Sequence, residues 1–469
     1  MKLNFVHLPT PTRFDMFNYY KSNKMYYLSS MALAGPVVIS QLGHTLVQTA
    51  DTIIVGHFSG TISLAAVSLV HSVFMVVLVI GLGIAFGLTP LIAQENGRGN
   101  YQECAKLLSN SFWLNIISAI LLFLLVYFGS MYAMQHADQD PLVVETAKPY
   151  LLILSLSILP LMLFNTFKQF AEGLGFTKQA MNITIWGNVL NVLLAIVLVK
   201  GMFGIKPMGV VGVGIATLVD RILMMAVMAW YVLNSSNFKR YIQHFSVKFI
   251  DVDRMKNILK IGAPVAMQYV FEIGAFAAAA LIAGMIGAVE QAAHQTAITL
   301  AAMTYMMASG IASAATIKVG NSFGNKNFFR LRKFATVSYH LVIVFMIICA
   351  LIFAVFNQYL PYIISTDLAV IALAGPLLII AGGFQLFDGT QVVGLGVLRG
   401  MGDVNIPTFI TFVAYWVVGI PVAYLLGIYW NVGVKGIWYG LTLGLLTSSV
   451  LLFLRYQYVV KRKLIEVGA

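Results

Sequence analysis

The chain has 469 residues, of which 59% are hydrophobic and 10% charged, with a formal net charge of +12 and a mean hydropathy of +0.86. A water-soluble domain carries about 25% charged residues, so composition excludes an ordinary soluble protein. Apolar runs of about 20 residues, long enough to cross a bilayer, recur along the whole sequence.

The first 26 residues are mixed and polar, without the apolar core of a signal peptide, and read as a cytoplasmic tail (1–26). Six spans follow at roughly 27–56, 63–93, 110–132, 146–167, 180–200 and 209–233, forming an N-terminal six-helix bundle over 27–233. A polar, basic segment (234–257) then links to six further spans at roughly 258–286, 291–317, 334–356, 370–396, 406–428 and 434–456. These form a C-terminal bundle over 258–456, and residues 457–469 are a second cytoplasmic tail. All but five of the 29 Lys and Arg residues fall on one side of this plan; Lys148, Lys200, Lys206 and Lys435 fall on the other, and Arg221 lies within a span. The positive-inside rule therefore predicts both termini in the cytoplasm. It also explains the basic balance as topology, so no nucleic-acid partner is expected.

Four acids fall inside the expected spans: Asp51, Asp220, Glu272 and Asp388. An ionised carboxylate at a helix centre costs about 2.5–3.5 kcal/mol on insertion scales, so such groups tend to face a bundle interior or a wet cavity. Asp51 stands near the end of its span in VQTADTIIVG, and an interfacial position is one reading of it. Asp220 precedes Arg221, and both read as structural groups that pair with polar partners elsewhere. Glu272 in QYVFEIGAF and Asp388 in GGFQLFDGTQVV lie deep in their helices, in the same half, with no basic residue within two turns. Two neighbouring carboxylates without a cation are poorly tolerated together. Such a pair is suited to take up a proton near neutral pH, or to hold a sodium ion with oxygen ligands.

Pro36 and Pro264 stand inside spans, where a proline frees a carbonyl and permits a kink; they are the expected bending points. His44, two turns after Pro36, reads as a hydrogen-bonded core residue. Cys104 and Cys349 have neither disulfide nor metal-ligand spacing. The Gly-rich stretch GLGVLRGMG (394–402) lacks the lysine and preceding strand of a phosphate loop. No nucleophile–base arrangement is present either, so an enzyme is not expected, and transport would draw on an ion gradient.

The two halves repeat each other. At a shift of 227 residues Gly83-Ile84-Ala85 returns as Gly310-Ile311-Ala312, Thr89 as Thr316, Gly97 as Gly324, Pro149 as Pro376 and Gly173 as Gly400; Gly35-Pro36 returns as Ala263-Pro264 with one residue more. Six helices per half place both halves in the same orientation, a transporter plan with substrate and ion sites near the midplane.

Several stretches together resemble the MATE (multidrug and toxic compound extrusion) family, NorM-like branch, over about Met31 to Tyr456. They are Pro36 with QTADTIIVG, GLGIAFGLTPLIAQENGRGN (81–100), AEGLGFTKQAMN (171–182) with Asn188 and Asn191, Phe271-Glu272, and FDGTQVVGLGVLRGMGD (387–403). The resemblance implies two six-helix bundles forming a V around a central cavity. It also implies a cation-coupled antiporter that exchanges inward Na+ or H+ for outward movement of amphipathic, often cationic drugs. The coupling cation would bind at Glu272 and Asp388, Na+ being the metal ion such a site would accept. Asp51, with Asn188 and Asn191, would take part in coupling or substrate binding in the N-terminal bundle. Phe384, where relatives often carry Tyr, and Ala195, polar in some relatives, depart from that pattern. No cofactor other than the coupling ion is implied, and the expected setting is the inner membrane of a bacterium, with the protein a monomer in the bilayer. The alternative is a flippase for a lipid-linked saccharide or another amphiphile, which would favour a basic cavity; a receptor or scaffold would have no use for paired buried acids.

Overall fold

The computed structural model describes residues 16–136 and 140–468, with the side chains of 16–22, 44–45, 135 and 467–468 left aside. Among the described residues, twelve helices are long and apolar enough to cross a membrane: α1 (Asn23–Phe58), α2 (Gly60–Arg98), α3 (Tyr101–Met134), α4 (Pro141–Gly173), α5 (Thr177–Lys200), α6 (Gly209–Asn234), α7 (Val252–Ile286), α8 (Ala288–Gly324), α9 (Phe328–Val355), α10 (Leu368–Gly400), α11 (Asn405–Tyr429) and α12 (Val434–Glu466). No strand occurs among them. The fold is the expected all-helical one of twelve spans.

Local chemistry sets the helix boundaries. Asp140, Asp367 and Asn327 cap α4, α10 and α9 by accepting from the N–H groups of Leu142 (2.9 Å), Ala369 (2.8 Å) and Arg330 (2.9 Å). Gly99 and Gly201 adopt left-handed dihedrals (φ 74° and 73°) that end α2 and α5. Several helices outrun the lengths that hydropathy suggests. Helical backbone continues through the polar ends QENGR of α2 and KVGNSFG of α8, because no breaker stands before the following turn. The expected tail is partly helical, since helix preceding and including α1 starts at Met16. The linker is also ordered in part, with a 3-10 turn at Ser236–Phe238 and a short helix at Lys239–Ile242.

The sequence repeat becomes a set of reciprocal contacts. Thr89 donates to Gln169, at its side-chain Oε1 (2.5 Å), and Thr316 to the carbonyl of Gly396 (2.9 Å), the counterpart of Gln169 at the same shift. Across the halves, Gly97 lies against the Asn321 carbonyl and its counterpart Gly324 against the Gln94 carbonyl, each so close that no Cβ fits. Gly83 meets the backbone of Ala266 in α7, and Gly310 meets that of Val38 in α1. These pairs obey one two-fold relation, so the halves dock through small residues that let backbones approach. Two apolar clusters join the halves: Leu33 and Ala34 with Ala314 and Ile317, and Ile261 and Val265 with Val404, Phe86 and Leu91. Both lie toward the helix ends that carry Gly97 and Gly324, the side assigned to the cytoplasm by charge. The start of α1 also reaches the other half: the Tyr27 hydroxyl is hydrogen-bonded to His340 Nδ1 (2.7 Å), and Tyr26 meets Phe334 edge to face.

Candidate functional site

Between the halves lies a cavity of about 380 Å3, walled by α1, α2, α4, α5 and α6 on one side and by α7, α8 and α10 on the other. Most of its lining is apolar or aromatic, and the charged groups that line it are few and buried. Glu272 and Asp388 both reach it, with 4% and 2% of their surfaces exposed. The Tyr305 hydroxyl of α8 donates to Glu272 Oε2 (3.4 Å), and Tyr415 of α11 lies near the same carboxylate. Gln391 in turn donates to the Tyr415 oxygen (2.9 Å). Glu272 Oε1 and Asp388 Oδ1 are buried without a protein partner among the described residues. Oxygen donors of this kind, already shielded from bulk water, suit a bare proton or a hard cation such as Na+.

Tyr415 owes its position to a stretch of π-helix, Val413–Gly419, inside α11. Pro421 follows six residues later and cannot donate to a carbonyl one turn back, so the regular helical ladder is interrupted here. The hydropathy pattern says nothing of this, whereas the pair Gly419 and Pro421 is a signal for it. Phe384, also lining the cavity, meets Phe276 at a tilt and Trp438 edge to face, so the position one turn before Asp388 is aromatic but offers no hydroxyl.

The opposite wall carries Asp51, Asn188, Asn191, Asp220 and Arg221. Asp51 is 4% exposed, facing the cavity rather than the membrane interface. It lies near Thr217, to which Asn191 Nδ2 donates (3.3 Å), and its Oδ1 is buried without a partner among the described residues. Arg221 donates to Ser157 Oγ (2.6 Å), at the break in α4, and lies over the Phe74 ring. Asp220 and Arg221 thus line the cavity wall, and Arg221 has the polar partner on another helix that the sequence suggests. Asn188 is half-buried, with its Nδ2 unpartnered.

Three charged residues that linear reasoning placed in loops or passed over are also inside. Lys168 of α4 lines the cavity, 4% exposed, donating to Ser40 Oγ of α1 (3.1 Å) and lying 3.9 Å from Glu172. Glu172 and Arg399 line a second, smaller cavity of about 40 Å3 between the halves. These two residues are counterparts at the 227-residue shift. The loop placement fails because α4 and α10 stay helical past the apolar stretch and turn these side chains inward. Pro36 and Pro264 each sit within continuous helix: the departure from helical dihedrals inside α1 is at Asn23, and none occurs inside α7. The side chain of His44 lies outside the described residues. No group of three or more His, Cys, Asp or Glu side chains arranged for a metal ion occurs among the described residues.

One family model, MatE, matches residues 36–197 and again residues 264–425. The chain belongs to the MatE family. The double match coincides with the internal repeat, one copy in each half. Among curated relatives, this MatE chain is 32% identical to "Multidrug resistance protein MdtK" of Yersinia pseudotuberculosis over 92% of its length and 96% of the relative's. The Yersinia pestis protein of the same name gives the same identity and coverage. Among solved structures it superposes on a MATE in the bent conformation with a TM-score of 0.87, 19% identity and coverage of 96% and 99%, and on the eukaryotic MATE transporter AtDTX14 with 0.85, 20%, 94% and 98%. The MatE chain thus shares the fold of these transporters along nearly all of its length.

Proposed function

We propose that this MatE protein is a secondary antiporter that exports amphipathic, often cationic compounds, and is driven by inward movement of Na+ or H+. One observation carries the reading: Glu272 and Asp388, from separate helices of one half, meet in the wall of the cavity between the halves, each with an unpartnered carboxylate oxygen. A cation entering there changes the local charge, and a bundle with two arrangements responds to such a change. The aromatic and aliphatic lining suits amphipathic cargo of varied shape. The names of the MdtK relatives, which speak of multidrug resistance, support the same direction. The setting would be a bacterial cell membrane with both termini in the cytoplasm. The cavity then faces outward, because the apolar clusters and glycine contacts between the halves close the opposite end.

The test is drug efflux by cells expressing Glu272→Gln or Asp388→Asn. Each is expected to lower efflux at least about tenfold while the protein remains in the membrane at wild-type level; one lost charge–charge interaction of about 1.4 kcal/mol already gives that factor. Wild-type efflux by both variants would remove the pair from coupling. A flippase for a lipid-linked diphosphate ranks second. Lys168 does supply an internal base that such cargo would need, but Glu172 stands beside it, and Asp51 and Asp220 accompany Arg221.

A further inference from the structure

Glu272 lines both cavities, the large one between the halves and the small one beneath it toward the closed end. Arg399 lines the small cavity with it. This arginine sits in the last turn of α10, eleven residues beyond Asp388, which puts the two on nearly the same helix face about three turns apart. Its Nη2 donates to Gln268 Oε1 (3.3 Å), and Gln268 precedes Glu272 by one turn on α7. Gln268 is itself held by Thr408 of α11, to whose hydroxyl it donates (3.0 Å). The guanidinium is therefore anchored one turn below Glu272, in the wall of the same small cavity. Its Nε is buried and has no partner among the described residues, so the group is tethered at one corner only. The acids in reach are unequal: Glu172, across the small cavity, already has Lys168 at 3.9 Å, whereas Glu272 has only hydroxyl partners.

We infer that Arg399 is a positioning residue that acts as the built-in counter-charge of Glu272. With no coupling cation bound, its fixed positive charge stabilises the carboxylate from the closed side. With a cation bound, the same charge repels it. Arg399 thereby weakens cation binding and favours release once the halves part at the cytoplasmic end. A guanidinium suits this task because it does not lose its proton in proteins. The other charged and titratable groups facing Glu272 are Asp388 on α10, Tyr305 on α8, Tyr415 on α11, Tyr269 on α7 and, across the small cavity, Glu172 on α4, and none of them carries a positive charge. The inference deepens the coupling reading above and rests on it.

Thermal unfolding of the purified full-length protein tests it, followed across a Na+ series at fixed pH and across a pH series without Na+. A ligand that binds the folded state stabilises it by RT ln(1 + [L]/Kd), so each series yields the cation concentration, near the dissociation constant, at which the midpoint begins to rise. In Arg399→Gln that concentration is expected to fall about tenfold for the ion that stabilises the wild type, since removing one like charge in a partly polar interior has that size of effect. Arg399→Lys, which keeps the charge, is expected to stay near the wild-type value; a purely structural role would not sort the two variants by charge. An unchanged cation concentration in Arg399→Gln overturns the inference. If that variant fails to fold, Gln268→Leu frees the guanidinium from its anchor, and an unchanged concentration there overturns it equally. A wild type that neither ion stabilises overturns the coupling reading itself, and this inference with it.

Discussion

Asp251 closes the linker and starts α7. Its carboxylate accepts from the N–H groups of Asp253 (2.9 Å) and Arg254 (3.3 Å), and it pairs with the Arg254 guanidinium, which also grips Glu103 of α3 (2.6 and 2.9 Å). Partial loss of hydration acts upward on this carboxyl, yet the two N–H groups and the guanidinium together outweigh it and hold it below the usual carboxylate range. A group depressed in the folded state contributes stability above its unfolded pKa of about 3.9 and loses it as pH falls through the folded value. Asp251→Asn is therefore expected to unfold at lower temperature than the wild type at pH 7. The gap should narrow below about pH 4, where the wild-type carboxyl begins to take up its proton; a gap that is the same at both pH values contradicts this role. Residues differ in how far the sequence reveals them. Glu272 and Asp388 stand out because nothing else near them is charged. Lys168, Glu172 and Arg399 do not, because each lies near the end of an apolar run, where a charge is ordinary, and only packing turns it inward.

At the scale of helices, the linker is a strap on the N-terminal half. Trp113 Nε1 of α3 donates to the Val247 carbonyl (2.6 Å), the Asp251 N–H donates to Asn110 Oδ1 (2.6 Å), and Lys106 lies over the Phe249 ring. The segment that reads as a plain connection in sequence is fastened to α3. The glycine contacts carry the second point. A Cβ on Gly324 would meet the Gln94 backbone carbonyl at 1.9 Å, and neither side can yield without moving a helix. Gly324→Ala should therefore lower stability by about 1–3 kcal/mol, as overpacking does. Gly129→Ala, in α3 with nothing within 4 Å of the added carbon, should leave stability equal or slightly higher. Thermal melts of the two variants separate these outcomes, and equal melts would mean that the halves do not meet as described. Glycine matches were legible as a repeat in the sequence. That their partners lie across the two-fold, and not within one half, was not, because spacing alone carries no information on which half a helix packs against.

The molecule as a whole follows from duplication. Two six-helix halves of like orientation, joined by a strap and docked at one end through small residues, leave a cavity between them, as in transporters built from repeats. The span count and the pairing of halves are written in hydropathy and in the Gly and Pro repeat. The cavity's charge is less so, because the acids Asp51 and Asp220 and the bases Lys168 and Arg221 come from three helices that only the fold assembles. In the coupling proposed above this asymmetry supplies the direction: one wall mixes acids with bases, while the other presents Glu272 and Asp388 without a base of its own in the main cavity. Efflux of a fluorescent cationic dye from proteoliposomes, with Na+ and proton gradients imposed one at a time, tests this most directly. The account predicts that at least one gradient drives dye movement against its concentration and that Glu272→Gln abolishes the response. Dye movement that ignores both gradients would contradict it.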